Sequence, residues 1–228
     1  MAASNTRYEL TEQMFAAVGR AITQWSFVEQ ALSDLFSVCV GSAVPGEHGE
    51  IQFIEAWIPM WVFFALESFA ARRALVDAAF AAYVYGATPT EIELTTEWAK
   101  LSDKARTLSG KRNKLAHWTV IPAQPTGAGA EYEPIAPARL MPQYGSPKYY
   151  RETGYNPPGK SLTKVQVGHI ENAFCLYAEK VRIFTKKVAN DKGLRGRDVL
   201  QACRLLVSDG RLDPPVLAGL RREIASRG

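Results

Sequence analysis

The sequence predicts an all-α fold: a helical bundle carrying a short β-hairpin/loop insertion and a C-terminal helical extension. Three observations predict it. Apolar residues recur at helical spacing along three long stretches. Helix starts carry capping residues and an early proline. The one region with strand-like residues is cut up by Pro134, Pro137 and Pro142, which keeps any sheet small.

The first helix is expected from about Thr11 to Cys39. Met14, Val18, Ala21, Trp25, Val28, Leu32, Leu35, Phe36 and Cys39 fall on one stripe of it. Gly41, Pro45, Gly46 and Gly49 then mark a loop over 40–49. A second helical segment begins near Glu50 and is expected to kink or restart at Pro59, because proline lacks the N–H and crowds the preceding turn. It continues through Leu66, Phe69, Val76 and Phe80 until Gly86 stops it.

Thr88-Pro89-Thr90-Glu91 opens the third helix. Thr88 can cap, Pro89 suits the first helical position, and Glu91 can reach back to close a capping box. Its apolar stripe is Leu94, Trp98, Leu101, Ala105, Leu108 and Leu115, and the helix is expected to reach about Trp118. Thr119–Ile121 then reads as a strand, 126–130 as a glycine-rich turn, and Glu131–Ile135 as the returning strand of a lone hairpin. A last long helix is expected from Thr163 to Asn190, with Val165, Ile170, Phe174, Tyr177, Val181, Phe184 and Val188 facing inward. Two short amphipathic helices, 198–207 and 214–226, close the chain, the second capped by Asp213 ahead of Pro214. The organisation read from this is a helical domain over 1–192, with its insertion at 119–160, followed by a basic helical extension over 193–228.

Composition narrows the class. A hydrophobic share of 47% with 22% charged residues is that of an ordinary globular chain, which excludes disordered and fibrous classes. The run from Phe53 to Leu66 holds Glu55 and Pro59 and is too short to span a bilayer, so no membrane partner is expected. The N-terminus has no signal-peptide pattern. Cys39, Cys175 and Cys203 are far apart among apolar residues, which suits small buried side chains in a reducing cytoplasm rather than disulfides or a thiolate metal site. Residues 1–193 carry 20 Lys/Arg against 19 Asp/Glu, and 194–228 carry 7 against 4. The positive balance therefore sits in the tail and permits nucleic-acid contact without demanding it.

The chemically loaded feature is Arg112-Asn113…His117, late in the third helix. On a helical wheel Arg112 falls in the apolar stripe between Leu108 and Leu115, where a guanidinium must be paired or line a cavity. Glu29, at the edge of the first helix's buried stripe, is the proposed partner, with Arg73 competing for it. Asn113 and His117 are one turn apart and neighbours on the surface. These groups suit cleavage of an RNA phosphodiester. Imidazole can take the 2′-hydroxyl proton or give one to the leaving oxygen. Arginine can stabilise charge on the phosphorane oxygens, and the amide can fix the phosphate or the imidazole. Arg112 and His117 lie about 140° apart on one helix, so convergence calls for a two-fold pair of helices and hence a homodimer. The structural alternative is that Arg112 and Asn113 tie helices together while His117 caps the helix end, where a cation or donor suits the dipole.

The run Arg112-Asn113-Lys114-Leu115-Ala116-His117 resembles the R-x4–6-H motif of the HEPN superfamily in its R-N-x-x-A-H form, and Trp25-x2-Val28-Glu29 is similar to the first helix of such members. The resemblance covers roughly Thr11 to Trp118 and the helix from Thr163. Trp118 stands where a glycine is common in this form. The resemblance implies a helical, often dimeric protein of a group rich in metal-independent RNases that act as toxins or in defence against phage. It implies Arg112 and His117 as the catalytic pair, Asn113 as the polar residue beside the arginine, and an antitoxin or defence-system protein as a further partner.

Two more features bear on RNA. Tyr149, Tyr150 and Arg151 lie in a loop of interleaved aromatics and cations, Tyr144 to Tyr155, that could stack bases and hold phosphates, or latch onto its own domain. Lys111 and Lys114 belong to a basic run that borders the cluster and doubles as a solvated face. No metal constellation, phosphate-cradling loop or nucleophile elbow is visible, so neither metal nor cofactor is expected. The leading expectation is an RNA-binding protein that cleaves RNA; the alternative is a non-catalytic helical protein–protein interaction or regulatory module.

Overall fold

The computed structural model describes residues 2–41, 43–45, 51–53, 57–84, 88–125, 135–142 and 161–208. Over these the chain is mainly helical: α1 (Ala2–Cys39), α2 (Trp57–Ala65), α3 (Phe69–Tyr83), α4 (Pro89–His117) and α5 (Lys164–Ser208). The β structure consists of three short antiparallel pairs. β1 (Ala43–Pro45) pairs with β2 (Ile51–Phe53), β3 (Thr119–Ile121) with β6 (Arg139–Met141), and β4 (Gln124–Pro125) with β5 (Ile135–Ala136). Among the described residues no helix is long and apolar enough to cross a membrane.

The chain divides into two compact units. The first comprises Met1–Glu29 and Lys104–Ala178. Its core is built on α1 through Met14, Ala17, Ala21, Trp25 and Val28, all buried. The Trp25 ring meets Phe174 of α5 edge-on, with centroids 5.1 Å apart, a geometry in which the positive ring edge faces the negative face. Thr163 starts α5 with a reciprocal capping box: its N–H donates to Gln166 Oε1 at 2.8 Å and its Oγ1 accepts from Gln166 N at 3.3 Å. β3 and β6 pair in the register Val120–Leu140, and Leu140 also exchanges backbone hydrogen bonds with Leu162. The Ala123 N–H donates to Thr11 Oγ1 at 3.2 Å, which ties the segment after β3 to α1.

The second unit comprises Gln30–Asp103 and Glu179–Gly228. Phe80, Trp98 and Phe184 form its aromatic centre, with ring centroids 5.6 to 5.8 Å apart. Beside them Asp77 gathers three donors: Arg73 Nη1 at 3.1 Å, Trp98 Nε1 at 3.0 Å and Ser102 Oγ at 2.9 Å. Arg73 also donates to Ser102 Oγ at 2.9 Å, so the guanidinium is used within its own unit.

Several expectations are corrected in detail. The segment read as a loop over 40–49 holds β1. The second segment is not helical from its start: Ile51–Phe53 form β2, and the helix begins at Trp57 with Pro59 in its first turn, close to the expected restart, where a missing N–H costs nothing. The break falls at residues 66–68, where Ser68 caps α3 by accepting from Ala71 N at 3.1 Å. β3 pairs with β6, Ile135 at the end of the expected return strand pairs in β5 with β4, and 131–134 lie outside the described residues. α5 runs unbroken to Ser208, taking in the helix read at 198–207. Val165 is exposed and Val167 takes its place in the core, while Cys175 is exposed rather than buried. The helix read at 214–226 lies outside the described residues.

Candidate functional site

Helix α4 starts at the capping box the residues foretell. Glu91 Oε2 accepts from Thr88 N and Thr88 Oγ1, both at 2.9 Å, and the Glu91 N–H donates to Thr88 Oγ1 at 3.3 Å. All six apolar-stripe residues from Leu94 to Leu115 are buried, and Ser109-Gly110 does not interrupt the helix. The Trp118 N–H closes the last turn on Lys114 O at 3.0 Å, and β3 follows at once. The helix's buried face is thereby fixed, and with it the face that carries the polar cluster.

In the first unit the last turns of α4 place that cluster at the surface. His117 and Asn113 are exposed on one face, with Gly110 and Arg106 following at helical spacing. Arg112 sits half-buried between Leu108 and Leu115, and its Nη1 donates to Asn113 Oδ1 at 3.5 Å, at the long limit for such a bond. The side chain thus lays its apolar stem along the core edge and turns its head outward, as long cationic side chains do. Glu29, the partner expected from the wheel, is half-buried on α1 and makes contacts of its own. The competing arginine, Arg73, pairs with Asp77. The contact seen for the Arg112 head is with the neighbouring amide. The reason is local: Asn113 is adjacent and reaches the head group at the surface.

Electrostatically this end of α4 is one-sided. From Lys104 to His117 the sequence carries Lys104, Arg106, Lys111, Arg112 and Lys114 and no carboxylate. Glu91, Glu93 and Glu97 lie in its first turns, so the helix is charged in the sense that complements its dipole. The Lys114 ammonium stands 5.5 Å from the Trp118 ring centroid, a cation–π contact at the mouth of the cluster. Trp118 is half-buried and His117 beside it stays exposed, so the bulky residue after the histidine does not cover it.

Within one chain the structure brings Asn113, Arg112 and His117 to the end of one helix but does not converge Arg112 on His117. They are separated by about 7.5 Å of helical rise and roughly 140° of rotation. Tyr149, Tyr150 and Arg151 lie outside the described residues. Among those described, no group of three His, Cys, Asp or Glu stands where it could hold a metal ion. Sequence reasoning passes over Asp77 and Ser102 and reads Trp98 only as apolar; their hydrogen-bond network is a packing device in the second unit. Arg73 and Asp77, four apart on one helix, are the signal that could have found it.

The chain matches no family model, no curated protein and no solved structure. The HEPN likeness therefore rests on the six residues from Arg112 to His117 and on Trp25, Val28 and Glu29.

Proposed function

We propose that this chain binds RNA and cuts it without a metal ion, as a HEPN-like endoribonuclease of the toxin or phage-defence type working in the cytoplasm. The observation that carries the reading is the exposed Asn113–His117 pair set in a fourteen-residue stretch of five cations and no carboxylate. A polyanion would be held there by Lys111 and Lys114 through its phosphates, independently of sequence.

In the proposed reaction His117 takes the proton of the ribose 2′-hydroxyl. The 2′-oxygen forms a bond to phosphorus, and the bond from phosphorus to the 5′-oxygen breaks. That oxygen takes a proton from water and leaves as a hydroxyl, His117 returns its proton to solvent, and the other product ends in a 2′,3′-cyclic phosphate. Arg112 stabilises the added negative charge of the pentacovalent phosphorus, and Asn113 holds the Arg112 head or the phosphate. Because Arg112 and His117 diverge on one helix, the site is composite and draws the two groups from two copies of the chain.

The test is cleavage of a mixed pool of single-stranded and transfer RNA in EDTA by wild type, Arg112→Ala and His117→Ala. Cleavage by wild type alone is the expected result. Intact RNA with wild type, while folding is preserved, would leave the second reading: a helical interaction module in which Arg112 and Asn113 bond to each other at the edge of the core. The 3.5 Å bond between those two is the observation on its side.

A further inference from the structure

Helix α2 is apolar on every side, and only part of it is inside the protein. Its nine residues, Trp57–Ala65, carry no charge. Pro59 and Phe63 are buried. The other side presents Trp57 at 50% exposure, Ile58 at 44%, Trp61 at 64%, Val62 at 48% and Phe64 at 38%. At about 100° per residue these five share an arc of roughly 160°, so they form one continuous face. A helix hydrophobic all round belongs in an interior, and a contiguous apolar patch on a surface marks a contact site.

Area and charge identify what covers it. With a whole aromatic side chain worth about 150–250 Å² and the aliphatic ones less, the exposed parts of the five sum to roughly 500 Å². Two such faces pressed together remove roughly 1,000 Å² from water, the size at which a specific protein interface becomes credible. A two-fold contact sets the same surface of both copies together, and with no charge on the face there is no like-charge repulsion to overcome. Tryptophan, phenylalanine and methionine are the residues enriched at the centres of such interfaces, where charged residues are scarce. The Trp57 and Trp61 rings already meet edge-on at 4.9 Å, a pair of large anchors ordered before any partner arrives.

A lipid surface fits less well, because interfacial helices place outward cations beside their aromatic face. Among the described residues the cation over the α2 rings is Arg72, and it is folded back. Its guanidinium carbon lies 5.8 and 5.2 Å from the Phe63 and Phe64 centroids, and its Nε donates to Leu66 O at 2.8 Å. The exposed ionisable residue that follows the helix is Glu67, which anionic headgroups would repel.

We infer that the exposed face of α2 is a homotypic interface, on which Trp57 and Trp61 pack against the same face of a second copy of this chain. The inference goes beyond the cleavage reading. A dimer held through α2 that leaves RNA intact would sink the cleavage reading alone, and RNA cleavage by a dimer indifferent to the Trp57 and Trp61 changes would sink the inference alone.

Sedimentation equilibrium of the full chain across micromolar concentrations tests it. Wild type is expected as a reversible dimer. Trp57→Glu and Trp61→Glu are expected to raise its dissociation constant on the order of thirtyfold or more, the scale of losing a tryptophan anchor. Trp61→Ala, which introduces no charge and spares the fold, is expected to weaken it in the same direction. Ile92→Glu, at an equally exposed apolar position on α4, is expected to leave the mass unchanged. A monomeric wild type, or folded Trp61 variants that dimerise as tightly as wild type, would overturn the inference. So would equal damage from Ile92→Glu, or a monomer that binds phosphatidylcholine–phosphatidylglycerol vesicles through its tryptophans.

Discussion

Asp34 and Asp77, two carboxylates of the second unit, respond in different ways to their surroundings. Burial pushes the Asp34 carboxyl above its ordinary range, against the smaller opposing effects of the Gln30 hydrogen bond and the Arg182 charge. A raised carboxyl in the folded state means that the folded chain holds the proton more tightly than the unfolded one. The stability linked to Asp34 is therefore fully present below the unfolded value and is lost as pH rises through the folded one. Asp34→Asn, which can still accept from Gln30, is expected to raise stability at neutral pH. The gain should vanish at pH values below the ordinary carboxylate range, as denaturation midpoints across pH would show. Asp77 serves as an acceptor for three donors, so Asp77→Ala strands Arg73, Trp98 Nε1 and Ser102. A loss of about 2–4 kcal/mol is expected in urea unfolding. At this scale sequence reading reaches the position of Arg112 but not its seat. A wheel gives direction from the helix axis, while the length of the arginine stem decides whether the head stays inside.

At the scale of elements, α4 is the most legible part of the chain. Its cap, its six buried stripe residues and its end follow from period and capping chemistry, both local. Gly110 adds a prediction there. It is exposed in mid-helix, and a β-carbon built on it meets nothing within 4 Å. Gly110→Ala is expected to stabilise the fold by about 0.5–1 kcal/mol by restricting the unfolded chain, read as a rise in Tm. Reading one continuous apolar segment from Pro59 through Phe80 misses the break between α2 and α3. The decisive signal, Ser68 as a cap, is present in the sequence. The pairing of β3 with β6 is not legible. Strand partners some twenty residues apart are chosen by packing, and short strands carry too little pattern to fix a register.

For the whole molecule the class is legible but the division is not. Each of α1, α4 and α5 contributes to both compact units, so no composition shift or linker marks a boundary. The candidate site is legible as a motif and a charge run; its composite nature is legible only as a wheel angle. The cation run at the end of α4 carries a prediction that cleavage does not enter. Replacing Lys111 and Lys114 by Ala is expected to weaken single-stranded RNA binding alike for all sequences. It should also flatten the dependence of log affinity on log salt by about 0.7 for each phosphate no longer neutralised. Binding titrations over a range of salt would measure it.

The measurement that bears most directly on the central claim is the chemistry of the RNA ends left by wild type in EDTA, read by mass spectrometry. Ends carrying a 2′,3′-cyclic phosphate opposite a 5′-hydroxyl, lost together in Arg112→Ala and His117→Ala, are what the account expects. Ends bearing a 5′-phosphate, or cyclic ends that persist in folded His117→Ala, would contradict it.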